Sequence, residues 1–242
     1  MTHTTTATTA TTAMPMPKPH RDRGIEGGMA QWYAKTTAKS MQEFQKLAQR
    51  IAGELPEGGA VLEVAPGPGY FCIELAKLGP YAVTGVDLSQ DMVEIARRKA
   101  AEAGVRVEFQ RGNSANLPFP RETFDFLVCR AAFKNFAQPV KALQEMVRVL
   151  KPGGRALVID LRRDASWAVV SRAVDQMGLG LVNRGITKLT FRFMLLKNAY
   201  AREHFEHMTA QTAFSKVDIR EDGMGFEVWM SKGRQQGTGN RE

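Results

Sequence analysis

The sequence has little cysteine: Cys72 and Cys129 are the two thiols in 242 residues. That is too few, at too wide a spacing, for a disulfide framework or a zinc site, and no metal is expected. Both sit in apolar runs and read as buried, reduced thiols, which points to a reducing compartment, the cytoplasm. No stretch reaches the roughly 18 apolar residues of a membrane-crossing helix, so no membrane span is expected. The N-terminus has no apolar core of the kind an export signal carries. The formal net charge is +8, yet no run of five basic residues occurs. So spread, the excess reads as a basic solvated surface, and a nucleic-acid partner is not expected.

What is present suits one domain. Hydrophobic residues make up 43% and charged residues 24%, an ordinary globular balance in a chain long enough to bury a core without staples. Residues 1–24, a Thr/Ala tract followed by alternating Met and Pro, read as a disordered tail, and 233–242 as a flexible one. Between them, at 25–232, strand-like and helix-like segments alternate. Ala60–Val64, Tyr81–Val86, Val105–Phe109, Phe124–Cys129 and Ala156–Asp160 read as strands. Tyr70–Leu78, the stretch after Ser89 and the stretch from Val140 to Leu150 read as helices, the second capped by Ser89 and stopped by Gly104. Lys151-Pro152-Gly153-Gly154 reads as a helix stop and strand entry. Phe214–Ile219 and Gly225–Met230, with a turn at Asp222-Gly223, read as an antiparallel edge hairpin. Ser166–Gly178, Thr190–Tyr200 and Ala201–Ala210 read as helices of a cap insertion at 165–210, and 29–50 as an N-terminal helical lid. The expected fold is α/β and Rossmann-like. It has a mostly parallel seven-stranded sheet with helices on both faces, the antiparallel hairpin at its edge and a small helical cap.

In such a sheet, ligands bind outside the carboxyl ends of the strands. The first of those ends carries Ala65-Pro66-Gly67-Pro68-Gly69, where the glycines allow a tight turn and close backbone approach. A dinucleotide fingerprint needs a third glycine, but Cys72 stands in its place. Asp87 ends the second strand 18 residues after Gly69, where a carboxylate can accept from both ribose hydroxyls.

Val61-Leu62-Glu63-Val64-Ala65-Pro66-Gly67-Pro68-Gly69 resembles the first motif of the class I S-adenosylmethionine-dependent methyltransferases, with Ala65 for its first glycine. Gly112-Asn113-Ser114-Ala115 followed by Leu117-Pro118-Phe119 is similar to the third motif, with Asn113 in the acidic position. Phe124–Arg130 and the Lys-Pro-Gly-Gly turn complete the order. The resemblance is closest to the small-molecule enzymes of ubiquinone and menaquinone biosynthesis. It implies S-adenosylmethionine as cofactor, with Glu63 near its amino group and Asn113 near its adenine. Further cofactor contacts are implied from Tyr33, Ala65, Pro66, Gly67, Gly69, Asp87, Leu88, Met92, Ser114, Ala115 and Arg130.

Methyl transfer from a sulfonium is an in-line displacement that asks mainly for approach and alignment, and no residue reads as an obvious base. The expected acceptor is a small apolar or aromatic molecule. Its candidate contacts are Trp32, Phe133, Arg162, Phe191, Phe193 and Tyr200; the aromatics read equally well as packing of a helical cap. The rivals are an RNA methyltransferase and a non-catalytic regulator that only binds the cofactor. Against the first, the place after the fourth strand reads Arg130-Ala131-Ala132-Phe133 rather than the Asp/Asn-Pro-Pro-aromatic of amino-methylating DNA enzymes.

Overall fold

A computed structural model describes residues 24–175, 180–191 and 195–234. The two expected tails therefore lie outside the described residues, apart from Gly24, Gly233 and Arg234. The order of elements begins α1 (Gly28–Thr37), α2 (Met41–Ala52), β1 (Ala60–Val64), α3 (Tyr70–Ala76), β2 (Ala82–Asp87), α4 (Gln90–Glu102), β3 (Glu108–Arg111) and β4 (Phe124–Arg130). It continues α5 (Pro139–Val149), β5 (Leu150–Leu161), α6 (Trp167–Asp175), α7 (Leu181–Thr190), α8 (Arg202–Thr209), β6 (Phe214–Asp222) and β7 (Gly225–Lys232).

The seven strands form one sheet in the order β3-β2-β1-β4-β5-β7-β6. Neighbours from β3 to β5 run parallel, and β7 is antiparallel to both β5 and β6. The expected fold class is thus borne out, hairpin included. Apolar side chains alternate to the two faces of the sheet, so two cores form. One packs Leu143 and Met146 of α5 and Phe205 and Met208 of α8 against the sheet. The other packs Phe44, Leu47 and Ile51 of α2 with Phe71 of α3 and Val93 of α4. Chain order reverses direction between β1 and β4, and a crevice opens there at the carboxyl ends.

Local chemistry sets several boundaries. Ser89 caps α4 as expected, its hydroxyl accepting from the Met92 N–H at 3.0 Å. Pro139 opens α5, where its missing N–H costs no hydrogen bond. Three expectations are corrected. The third strand starts at Glu108, later than expected, because Val105 is still tied to the end of α4 through its N–H to the Ala100 carbonyl. The fifth strand starts at Leu150, since Leu150 already pairs with Phe124; residues 151–154 form an irregularity between that pair and Phe126 with Arg155.

The third correction concerns the cap. The described helix there is α7, at Leu181–Thr190, followed by a single 3-10 turn at Leu196–Asn198 that ends at the extended Ala199, while 192–194 lie outside the described residues. Tyr200 is pulled instead into extended backbone beside the end of β5, where the Arg163 N–H donates to its carbonyl at 2.9 Å. Of the helix expected at Ser166–Gly178, Trp167–Asp175 is observed and 176–178 lie outside the described residues.

Candidate functional site

A cavity of about 540 Å³ lies across the carboxyl ends of five neighbouring strands, in the size range of small-molecule sites. From β3 to β5 is four strand spacings, roughly 19 Å. Its lining changes along that line. The β3 and β2 ends give Asn113, Ser114, Asp87 and Leu88, joined by Met92 from α4. The β1 end gives Glu63, Ala65, Pro66 and Gly67 under Tyr33 of α1. The β4 and β5 ends give Arg130, Ala132, Lys134, Phe136 and Leu161, facing Phe191 and Leu195 of the cap.

The loop after β1 is shaped by three left-handed residues, Ala65 (φ 58°), Gly67 (φ 53°) and Gly69 (φ 76°). At Gly69 a side chain has no room: a Cβ would meet the Phe109 ring at 2.6 Å. Gly69 therefore does not border the cavity; it lets α3 approach the sheet. At Ala65 the position that the family gives to glycine carries a methyl in the left-handed region, a strain of roughly 1–2 kcal/mol. The Ala65 N–H holds it there by donating to the Val86 carbonyl at 2.8 Å. Ala131, after β4, repeats the pattern with φ 57° and an N–H to the Ile159 carbonyl at 2.7 Å.

Asp87 sits between the first two loops. One carboxylate oxygen accepts from the Gly67 N–H at 2.9 Å, the other from the Ser89 N–H at 2.9 Å. Each oxygen keeps lone-pair capacity for a hydroxyl donor. Burial raises its pKa against the opposing pull of those backbone N–H groups. Glu63 is buried at the β1 end, and burial pushes its carboxyl up to about 7, against the lowering influence of the Cys72 thiol and the Arg130 charge. The thiol donates to its carboxylate at 3.0 Å. Burial pushes both the Cys72 and Cys129 thiols well above the usual range, which makes them poor nucleophiles.

Arg130 lies over the Phe44 ring at 4.4 Å and pairs with Glu43 at 2.6 Å, joining β4 to α2 at the cavity wall. Asn113 turns its amide oxygen to the Ala115 N–H at 2.9 Å, a local turn that also takes Ala115 out of the lining.

Of the acceptor candidates, Phe191 borders the cavity. Phe133 and Tyr200 do not: both are buried in the core, Phe133 stacked on Phe205. Arg162 is committed to Asp164 and Glu221. Trp32, one helical step from Tyr33, points outward at 61% exposure. Phe193 lies outside the described residues.

Two features escape the sequence reading. The first is Lys134. Its ammonium donates to Asp160 Oδ1 at 2.9 Å and to the Ala131 carbonyl at 2.9 Å. Asp160 is in turn held by the Lys134 and Leu161 N–H groups. Two of the three ammonium donors are so used, beside the cavity. The second is a strap at 24–27. Glu26 accepts from the Gln90 and Asp91 N–H groups at the start of α4, and the Ser89 hydroxyl donates to the Ile25 carbonyl at 2.7 Å. This pins Gly24 and Ile25 against the cavity. Among the described residues no group of three His, Cys, Asp or Glu is placed to hold a metal ion, and no helix is long and apolar enough to cross a membrane.

Comparison with known proteins agrees with the four motifs. Residues 61–154 match a family model described as a methyltransferase domain. A demethylmenaquinone methyltransferase of Deinococcus radiodurans is 39% identical over 107 residues, 44% of each chain. A ubiquinone/menaquinone biosynthesis C-methyltransferase of Geobacter sulfurreducens is 39% identical over 108 residues, 43% of this chain and 42% of its own. These matches thus span less than half the length of either relative. A crystal structure from Methanococcus maripaludis, provisionally classed as an S-adenosyl-L-methionine-dependent methyltransferase, superposes with a TM-score of 0.70. It is 20% identical and covers 89% of this chain and 97% of its own, a likeness of fold. The class I methyltransferase resemblance read from the sequence is borne out.

Proposed function

We propose that this chain, which carries a methyltransferase domain of the class I fold at its core, binds S-adenosylmethionine in the cavity and passes its methyl group to a small apolar acceptor. The observation that carries the reading is Asp87. It is a buried carboxylate at the β2 end, fixed by two backbone N–H groups and still able to accept two hydroxyls. That is the chemistry a ribose diol needs. Leu88 and Met92 give the neighbouring apolar wall, and Asn113 and Ser114 the polar edge for an adenine. Glu63 and the Ala65–Gly67 turn face the amino-acid part, with Tyr33 above. When bound, the cofactor supplies a methyl group already activated on sulfur.

The chain's own contribution is alignment and exclusion of water. The acids lie toward the β2 and β1 ends, and the cations Arg130 and Lys134 toward β4 and β5. The acceptor therefore belongs on the β4–β5 side, among Phe136, Leu161, Phe191 and Leu195. Lys134 is the group that can donate to an oxygen of the acceptor. The relatives' names, which specify quinone precursors, fit such a molecule: flat, apolar and carrying ring oxygens. A nucleic-acid acceptor is not favoured, because the relatives are named for quinone biosynthesis. Work in the cytoplasm agrees with two buried, free thiols.

The test is incubation with methyl-labelled S-adenosylmethionine and a panel of demethylated quinones. Labelled quinone is the expected product; cofactor binding without transfer to any acceptor supports the regulator instead.

The Glu63 environment adds a pH dependence. A carboxyl titrating at about 7 is largely neutral below that pH. A cationic ligand beside it favours the ionised form and draws the proton off. Cofactor affinity is therefore expected to rise as pH climbs toward about 7 and to level off above. Calorimetry in buffers of different ionisation enthalpy should register proton release on binding below that point. A flat profile counts against Glu63 facing the cation, and Glu63→Gln should produce one.

A further inference from the structure

Exposed large apolar side chains gather, among the described residues, in the segments that border the cavity. Among the described residues eight large apolar side chains are exposed. Six of them, Ile25, Met29, Trp32, Trp167, Ile186 and Leu189, lie in the segments 24–37 and 161–195 that line the cavity. Met29 and Trp32 are each 61% exposed, Ile186 58% and Leu189 54%. Isolated exposed leucines need no explanation, but concentration around one opening does. Met29 and Trp32 are three apart on α1, and Ile186 and Leu189 three apart on α7, so each pair shares one helix face.

Charge is concentrated in the same place. Residues 161–200 hold seven Lys and Arg against two Asp and no Glu; Arg162 is offset by Asp164 and by Glu221 from outside the segment, and Asp175 holds Arg184 and Lys188, which leaves the segment net basic. Apolar side chains with a basic surround on short helices are the composition of an interfacial, surface-lying element. The position adds a reason. The cavity-lining Phe191 stands two residues after Leu189, and the cavity-lining Tyr33 one after Trp32, so exposed apolar side chains and cavity lining share the same two segments.

We propose that α1 and the cap helices dock on an anionic lipid bilayer, with Trp32, Ile186 and Leu189 entering the headgroup region and the exposed Arg172 and Lys197 facing lipid phosphates. A protein partner is less well matched, since the excess charge has one sign and the apolar residues stand on two separate helices. Docking of this kind needs no membrane-crossing helix. It puts the opening at the phase where an apolar molecule is concentrated. The surface stands independently of methyl transfer, and its test needs none.

The full chain is sedimented with vesicles of phosphatidylglycerol and phosphatidylcholine in equal parts, and with phosphatidylcholine alone. Binding to the anionic vesicles at low ionic strength is expected, weakening as salt screens the attraction. Tryptophan emission gives a second reading, because Trp32 and Trp167 are exposed whereas Trp229 is buried; a blue shift with anionic vesicles is expected. The Ile186→Ser/Leu189→Ser double variant should bind these vesicles roughly tenfold more weakly. Its circular dichroism and its affinity for S-adenosylhomocysteine should be unchanged. Absence of binding of the unaltered chain to anionic vesicles at low salt overturns the proposal. So does equal binding to both vesicle types, or a dimer that the double variant converts to monomer, which makes a second copy the occupant.

Discussion

Asp87→Ala should weaken cofactor binding by roughly a hundredfold while leaving the fold intact. The carboxylate offers two charge-assisted hydrogen bonds to a ribose diol, and losing them costs about 3 kcal/mol. The same side chain organises both loops around it, through the Gly67 and Ser89 N–H groups, so some of the loss will come from slackened loops. Stability should change less than affinity, because two opposing effects meet: the Gly67 and Ser89 N–H groups lose their acceptor, while a buried carboxylate is removed. Burial raises the Asp87 pKa, so the folded chain resists keeping this carboxylate ionised. A raised acid pKa disfavours the folded state as pH rises past the unfolded value, and at neutral pH removing the group relieves that. Calorimetric titration together with thermal melting separates the two quantities. Unchanged affinity would sink the assignment of this cavity to S-adenosylmethionine. A parallel fall in affinity and melting temperature would mean that Asp87 is chiefly a structural tie.

Asp160→Ala is expected to have the largest effect on stability. Asp160 and Lys134 are almost fully enclosed, with side-chain exposures of 1% and 10%. Removing the carboxylate leaves an ammonium with one carbonyl for company, and it also strands the Lys134 and Leu161 N–H groups. Breaking a buried pair from one side costs about 3–5 kcal/mol. In a chain of this length that corresponds to a fall in melting temperature on the order of 10 °C. The Asp160→Ala/Lys134→Met double variant should recover the part due to the unpaired ammonium, while the two backbone N–H groups stay without their acceptor. If the single variant melts with the wild type, the pair is not buried as described. The double variant also probes the acceptor side: with cofactor affinity retained, turnover of an oxygen-bearing acceptor should fall. Equal turnover would remove Lys134 from the reading.

How much of this was legible in the sequence depends on how local each signal is. The β1 run and its glycine loop are contiguous, and so is Asp87 with its N-cap neighbour Ser89. Each announces itself within ten residues, and each stands where expected. The hairpin was legible for the same reason, its turn marked by Gly223 between two alternating stretches. Lys134 was not. A lysine among aromatics reads as a solvated charge, and nothing nearby says otherwise. Its burial depends on Asp160, 26 residues on, brought beside it because β5 pairs with β4. Glu26 is a stronger case, capping a helix 64 residues away. The cap misled in another way. Phe191 and Tyr200 suggested one amphipathic helix, but the Tyr200 backbone is claimed by the sheet edge, and α7 keeps Ile186 and Leu189 outside. A periodicity argument assumes that apolar residues face inward, and there they do not.

The two strained alanines have a consequence for how the cavity meets a ligand. Ala65 and Ala131 end adjacent strands, and each is locked by a hydrogen bond to the next strand rather than to anything in the cavity. The floor therefore holds its unfavourable backbone shape whether or not a ligand is there. Ordering that a looser loop would complete during binding is already finished when the chain folds. The sheet bears that entropy cost once, at folding, and each binding event is spared it.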